Sequence, residues 1–150
     1  MADALLFTID GRRYAIPLQQ VAEVMPAVNA HGLPDAPSIV EGVVNVRGEI
    51  LPVLALRARL GHTPRAVQAS EYFILVRAQT RRVILRSDTA PEIVTLPSMP
   101  VAREDGVARA LAGVLPLPDG IALFHDINCF MAADEGSALD VALAGAELPA

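Results

Sequence analysis

Lysine is missing from this chain: all 12 of its basic residues are arginine. We read that absence as a codon bias of the source and not as a functional choice. Cysteine occurs once, at Cys129, which excludes an internal disulfide. It lies in the apolar run Ile127-Asn128-Cys129-Phe130-Met131 and reads as a buried, inert thiol. No apolar run reaches the roughly 18 residues of a membrane span. The first residues lack the basic region and long apolar core of a signal peptide, so the expectation is a soluble cytoplasmic protein. There is no GxGxxG, no phosphate-binding P-loop and no G-x-S-x-G element. His31, His62 and His125 are far apart and lack metal-ligand spacing. His125 beside Asp126 reads as a surface or capping pair, not a catalytic dyad. The acidic residues are dispersed and assemble no acid/base pair. The expectation is no catalytic residue, no cofactor and no metal.

What is present is apolar and mildly acidic. The 150 residues are 53% hydrophobic with a formal net charge of −5. That excludes a disordered chain and argues against a general phosphate-binding role. The length fits one domain or two small subdomains.

Short strands and tight turns fill the chain. Leu5-Leu6-Phe7-Thr8-Ile9 and Arg12-Arg13-Tyr14-Ala15-Ile16 flank the hairpin signal Asp10-Gly11. One helical turn follows over Leu18 to Val21, then a strand over Glu23-Val24-Met25. Residues 27–38 read as a loop. Leu56 to Leu60 reads as a short helical piece stopped at Gly61, and residues 61–70 as a connector. In the second half, Tyr72 to Val76, Arg81 to Leu85 and Glu92 to Val94 read as strands. A polar loop runs from Pro97 to Gly106. Val114 to Phe124 reads as a hairpin turned at Asp119-Gly120, and Asp126 as the N-cap of a helix over Ile127 to Met131. Ser137, with Asp140 three residues on, reads as the start of a last helix, Ala138 to Leu148.

The two halves match each other. Arg12-Arg13 falls on Arg81-Arg82 and Glu23-Val24 on Glu92-Ile93 at an offset of 69; Gly42-Val43 falls on Gly113-Val114 and Ile50 on Ile121 at an offset of 71. The chain is therefore expected to hold two copies of one small β unit, each about 70 residues long and each curling into a small barrel. Asn45 and Arg47 fall on Pro116 and Pro118, so they are expected to serve something outside the shared barrel.

Ile39 to Leu56 is the most constrained stretch. Two β-branched runs flank the polar break Asn45-Val46-Arg47-Gly48-Glu49, the pattern of strand, tight turn, strand. Gly42-Val43-Val44-Asn45-Val46-Arg47-Gly48-Glu49-Ile50-Leu51-Pro52-Val53-Leu54 resembles the Gly-Val-x-Asn-Leu-Arg-Gly-x-Ile-x-Pro-Val signature of CheW-like chemotaxis coupling domains. Leu33 to Glu41, Gly11 to Pro17 and Val21-Ala22-Glu23-Val24 fit in the right order, so the resemblance covers roughly residues 5–131. It implies an all-β fold of two five-stranded SH3-like barrels packed side by side. On that basis residues 1–136 form one CheW-like domain of two pseudo-repeated barrels, about 5–61 and 71–132, with strands free to cross between them. Residues 137–150 form a tail. The resemblance implies a non-enzymatic adaptor coupling chemoreceptors to a histidine kinase in a chemotaxis or pilus-type pathway. Its partners would be the receptor's cytoplasmic tip and the kinase regulatory domain. The partner-binding positions it implies are Val21, Glu23, Gly42, Asn45, Arg47 and Gly48. Glu23 and Arg47 would form an ion pair that orients the turn, with Gly42 and Gly48 shaping the backbone.

Three residues depart from the family pattern: Ala55 where Asp is usual, Ile84 where Gly is usual, and Arg86 in a normally apolar stretch. They point to a divergent member with an altered partner surface. The alternative is a small β-barrel nucleic-acid-binding module using the strands from Arg77 to Arg86, with Arg77, Arg81, Arg82 and Arg86 as a basic patch. Few aromatics and the acidic balance favour a solvated face there.

Overall fold

A computed structural model describes residues 2–78, 81–96, 111–117, 120–125 and 133–145. The strands are β1 (Ala2–Ile9), β2 (Arg12–Pro17), β3 (Val21–Pro26), β4 (Val40–Val46), β5 (Glu49–Leu54), β6 (Tyr72–Ala78), β7 (Arg81–Ser87), β8 (Glu92–Leu96), β9 (Leu111–Leu117) and β10 (Gly120–His125). One 3₁₀ turn (Leu18–Gln20) and two helices, α1 (Leu56–Arg59) and α2 (Ala133–Gly145), join them. The strands form two five-stranded sheets, β8-β1-β2-β10-β9 and β3-β6-β7-β5-β4. These are the two barrels.

The second order is the first with each strand replaced by its partner in the repeat. Each barrel takes strands from both halves of the chain, so the repeat is a unit of sequence and the barrel is a unit of space. The chain crosses between barrels after β2, through the 3₁₀ turn, and after β7, through residues 88–91.

Strand exchange explains why several strands read as unbroken apolar runs. One face of β1 (Leu5, Phe7, Ile9) and β2 (Tyr14, Ile16) meets one face of β6 (Ile74, Val76) and β7 (Val83, Leu85) in a core shared by the barrels. Their other faces line the barrel interiors. Among the described residues, the interior of the first barrel holds Ala4, Leu6, Ala15 and Ala122, with Val94 and Leu117 packed against them. That of the second holds Val44, Leu51, Val53, Phe73, Leu75 and Ile84. A strand buried on both faces has no polar alternation to show. Ile84, where the family pattern has glycine, is fully buried and fills the second barrel.

β3 and β4 are the free edges of the second sheet. Gly42 helps to close it. The segment after β3 crosses back to β4, Ala27 N–H bonding Glu71 O at 3.0 Å and His31 exchanging two 2.8 Å bonds with Val43. A Cβ on Gly42 would sit 2.8 Å from both the Ala30 Cβ and the His31 carbonyl oxygen, so only glycine admits this crossing.

Arg86 does not lie on a solvated face. It is buried on β7, with Nε and Nη2 on Glu71 at 2.8 and 3.0 Å and Nη1 on both Glu41 oxygens at 3.0 Å. Glu71, which also accepts from the Gln68 N–H at 2.8 Å, is completely buried. Burial pushes the Glu41 carboxyl above its ordinary value, against the pull of Arg86. Ile84 and Arg86 therefore alter the interior, where the sequence pointed to the partner surface.

Helix α2 begins at Ala133, before the expected start at Ala138, and Ser137 lies inside it. Leu139 and Ala142 bury against the shared core, and the Arg59–Glu135 pair at 2.6 Å ties down the first turn. Tertiary contact decides this boundary. Ala55, which stands where the family has a capping Asp, gives α1 no side-chain cap, and its N–H bonds the Ile39 carbonyl instead. Cys129 and the expected helix over Ile127 to Met131 lie outside the described residues.

Two outcomes follow from this packing. Arg86→Met takes the forked guanidinium from buried Glu71, leaving Arg65 at 3.8 Å, and is expected to lower stability by about 3–5 kcal/mol in urea denaturation. The double variant Arg86→Met/Glu71→Leu recovers most of that; a single variant within about 0.5 kcal/mol of wild type would refute a supporting role for the cluster. Gly42→Ala is expected to cost about 1–3 kcal/mol through the clash with Ala30 and His31, while Gly32→Ala, in open space, serves as the control.

Candidate protein-interaction site

The β4–β5 hairpin pairs Val46 with Glu49, which leaves Arg47 and Gly48 as a two-residue loop. Both have positive φ, +51° at Arg47 and +89° at Gly48. That is the turn whose twist matches two antiparallel strands. Gly48 takes the conformation freely. Arg47 does so at a cost of about 1–2 kcal/mol. Asn45 holds the loop, its Oδ1 accepting the Gly48 N–H at 2.8 Å.

Arg47 reaches from this turn to Glu23 on β3, across the opening between the sheet's two edges. Its Nη1 donates to Glu23 Oε1 at 3.2 Å and its Nη2 to Oε2. The side chains are 68% and 35% exposed. An ion pair in water is worth about 0–1 kcal/mol, so it orients the guanidinium more than it holds the fold. The bond from Arg47 keeps the Glu23 carboxyl below its ordinary value, with the charges of Arg47 and Arg82 acting in the same direction. Arg82 on β7 pairs in turn with Glu49 on β5 at 2.9 Å. Charges of alternating sign thus cover one end of the second barrel.

Of the six positions singled out in the sequence, the structure brings Glu23, Asn45, Arg47 and Gly48 together at this end. Gly42 and Val21 belong to the same seam but not to its surface. Gly42 is buried under residues 30–31. Val21 is half-buried against the shared core. A bulge at Ala22 shifts the β3 register, so Val21 and Val24 both face the side of β6 that bears Val76 and Ile74, while Glu23 faces the other.

Val24 on β3 and Val28 just after it were not singled out as contacts, yet they are 40% and 56% exposed. At Val24 periodicity misleads because the bulge breaks the alternation.

The arginines of the second half do not make an open basic patch. Arg86 is buried, Arg82 is paired with Glu49, and Arg81 binds Asp140 and the Gly136 carbonyl. Only Arg77 of the four is exposed without such a pair among the described residues. No three His, Cys, Asp or Glu side chains cluster for a metal among the described residues.

Comparison with known proteins agrees with this architecture. The family model described as the CheW-like domain matches residues 3–135. A probable chemotaxis protein CheW from Rhizobium etli is 29% identical over 94 residues, which span 63% of this chain and 61% of that protein. A chemotaxis protein CheW from Rhizobium meliloti is 24% identical over 141 residues, 91% of each chain. The crystal structure of scaffolding protein TtCheW from Thermoanaerobacter tengcongensis has the same fold, with a TM-score of 0.77 at 20% identity over 89% of this chain and 94% of that one. With two strand-exchanged barrels and a family match over nearly its whole length, the chain belongs to the CheW-like domain family.

Proposed function

We propose that this protein is a non-enzymatic chemotaxis adaptor that couples chemoreceptors to a histidine kinase. Membership of the CheW-like family and the similarity to proteins named chemotaxis protein CheW support the adaptor role. The finer reading names the kinase regulatory domain and the receptor's cytoplasmic tip as partners, with binding centred on the Arg47 turn. A cytoplasmic setting suits such partners. No helix among the described residues is long and apolar enough to cross a membrane.

The observation that carries the site is the conformation of Arg47. The backbone accepts a left-handed arginine, and the side chain is then held in water by a forked pair that adds little to stability. A turn selected for stability alone would place Asn or Gly there. Strain kept at an exposed, oriented charge suits recognition of another protein. Val24, next to Glu23 in the chain, adds exposed apolar area to β3, and interface anchors combine apolar area with oriented charge. The adaptor holds its partners in fixed geometry and so shifts the population of active kinase.

Calorimetry against a chemoreceptor-tip fragment and a chemotaxis kinase regulatory domain tests this. Wild type is expected to bind, and Arg47→Glu to lose at least about tenfold in affinity, roughly 1.4 kcal/mol, while staying folded. Wild type binding neither probe would remove the adaptor reading; unchanged binding by the variant would remove the site alone. Arg47→Gly separates stability from recognition: it is expected to gain about 1 kcal/mol in thermal or urea denaturation and to bind as poorly as Arg47→Glu. In a double-mutant cycle, Glu23→Ala and Arg47→Ala are expected to be non-additive on binding; additive losses would show that the two side chains act separately.

A further inference from the structure

Asp10, Arg57 and Asp88 meet at one end of the layer between the barrels. Asp10 sits in the β1–β2 turn of the first barrel. Arg57 belongs to α1, behind β5 of the second. Asp88 follows β7 and opens the crossover from the second barrel back to the first. Arg57 donates from Nη1 to Asp10 Oδ1 at 2.8 Å, and from Nη2 to Asp88 Oδ1 and Oδ2 at 2.8 and 2.7 Å. Its side chain is 6% exposed.

The surrounding bonds cross between the barrels as well. The Asp10 N–H bonds Asp88 Oδ2 at 2.8 Å, the Asp88 N–H bonds the Thr8 carbonyl at 2.8 Å, and the Thr8 N–H bonds Ser87 Oγ at 3.2 Å. Arg65 adds a second cation 3.1 Å from Asp88. His62 spans from Asp10, at 3.3 Å, to the Tyr14 hydroxyl, at 2.6 Å.

The described side chains of the shared core are apolar apart from the Tyr14 hydroxyl. Apolar contact is non-directional and tolerates small rotations of one barrel on the other. A forked guanidinium on two carboxylates does not, because its donors are planar and fixed.

The repeat shows that a barrel does not need this group. The offset of 69 carries Asp10 to Gln79 and Asp88 to Gln19, and the offset of 71 carries Arg57 to Asn128. Where one half-site has two carboxylates and an arginine, the sequence has amides at every matching position. A charged cluster present once in a doubled fold serves the relation between the copies, not the copy.

We propose that Arg57 is a positioning residue: its fork on Asp10 and Asp88 sets the angle between the two barrels, so that partners held on different barrels keep one relative geometry. The consequence for partners rests on the adaptor reading above; the angle itself does not.

Spin-label distances in the full chain test the angle. In a Cys129→Ser background, labels at Glu92→Cys on the first barrel and Arg77→Cys on the second report across the layer. Labels at Glu92→Cys and Ile121→Cys report within the first barrel. Arg57→Met is expected to broaden or shift the inter-barrel distribution and leave the other unchanged. Asp10→Asn removes one carboxylate at a half-exposed turn, keeps the fold, and is expected to act in the same direction more weakly. If Arg57→Met does not fold, Asp10→Asn decides. An inter-barrel distribution as narrow and as centred as in the parent overturns the proposal.

Folded variants are then titrated with the receptor-tip fragment and the kinase regulatory domain, singly and together. Each probe alone is expected to bind as to wild type, and simultaneous binding to weaken by about fivefold or more. Unchanged simultaneous binding despite a broadened distribution overturns the positioning role. A wild type that binds neither probe overturns the adaptor reading, and the distances still decide whether Arg57 sets the angle.

Discussion

Between the two barrels lies a layer in which β1 and β2 face β6 and β7, and each of these four strands is covered on both sides. Burying a Leu, Ile, Val or Phe side chain contributes about 1.5–3 kcal/mol, and the middle of each of these strands is made largely of such buried residues. Because the halves exchange strands, neither barrel can be completed by one half of the chain. The core is therefore one unit, although the architecture has two. Among the described residues, the first interior holds Ala4, Leu6, Ala15 and Ala122, and the second holds Val44, Leu51, Val53, Phe73, Leu75 and Ile84. Close packing makes such choices mutually dependent.

Among the described residues, the buried arginines of this apolar frame come with carboxylate partners. Arg86 has Glu71 and Glu41; Arg57 has Asp10 and Asp88. A lone buried charge would cost several kcal/mol, and a forked pair offsets most of that. Each of these sites uses the planar five-donor head of arginine, which the compact ammonium of lysine cannot reproduce. The exposed pairs of Arg47 and Arg82 use the same geometry where it matters less for the fold. The buried pairs tie packed elements together, while those of Arg47 and Arg82 lie at the open end of the second barrel.

At that end a steric constraint and a solvated link lie side by side. The seam between β3 and β4 is closed below by the crossing at Gly42 and spanned above by Glu23 and Arg47. Below, the constraint is steric and a methyl group would break it. Above, the link is solvated and weak, and the backbone beneath it is strained. Residues that keep the barrel shut and residues exposed to solvent thus lie on one seam, in adjacent stretches of one hairpin.

The sequence by itself determined the strands, the hairpin at Arg47-Gly48, the doubled unit and its offsets, because turn chemistry and side-chain periodicity act between neighbours in the chain. The resemblance carried by Gly42 to Leu54 pointed to the family and to the Glu23–Arg47 pair. Which half supplies which strand, and therefore that β1 and β7 are covered on both faces, was decided only by the tertiary structure. So was the burial of Arg86, which reads as a surface charge until Glu71 and Glu41 are brought to it from 15 and 45 residues away. The exposure of Val24 and the earlier start of α2 belong with it. A bulge changes the face a side chain takes without changing its neighbours in sequence, and a helix end is set by what it packs against. Local rules reach a few residues along the chain; pairing through space has no such limit.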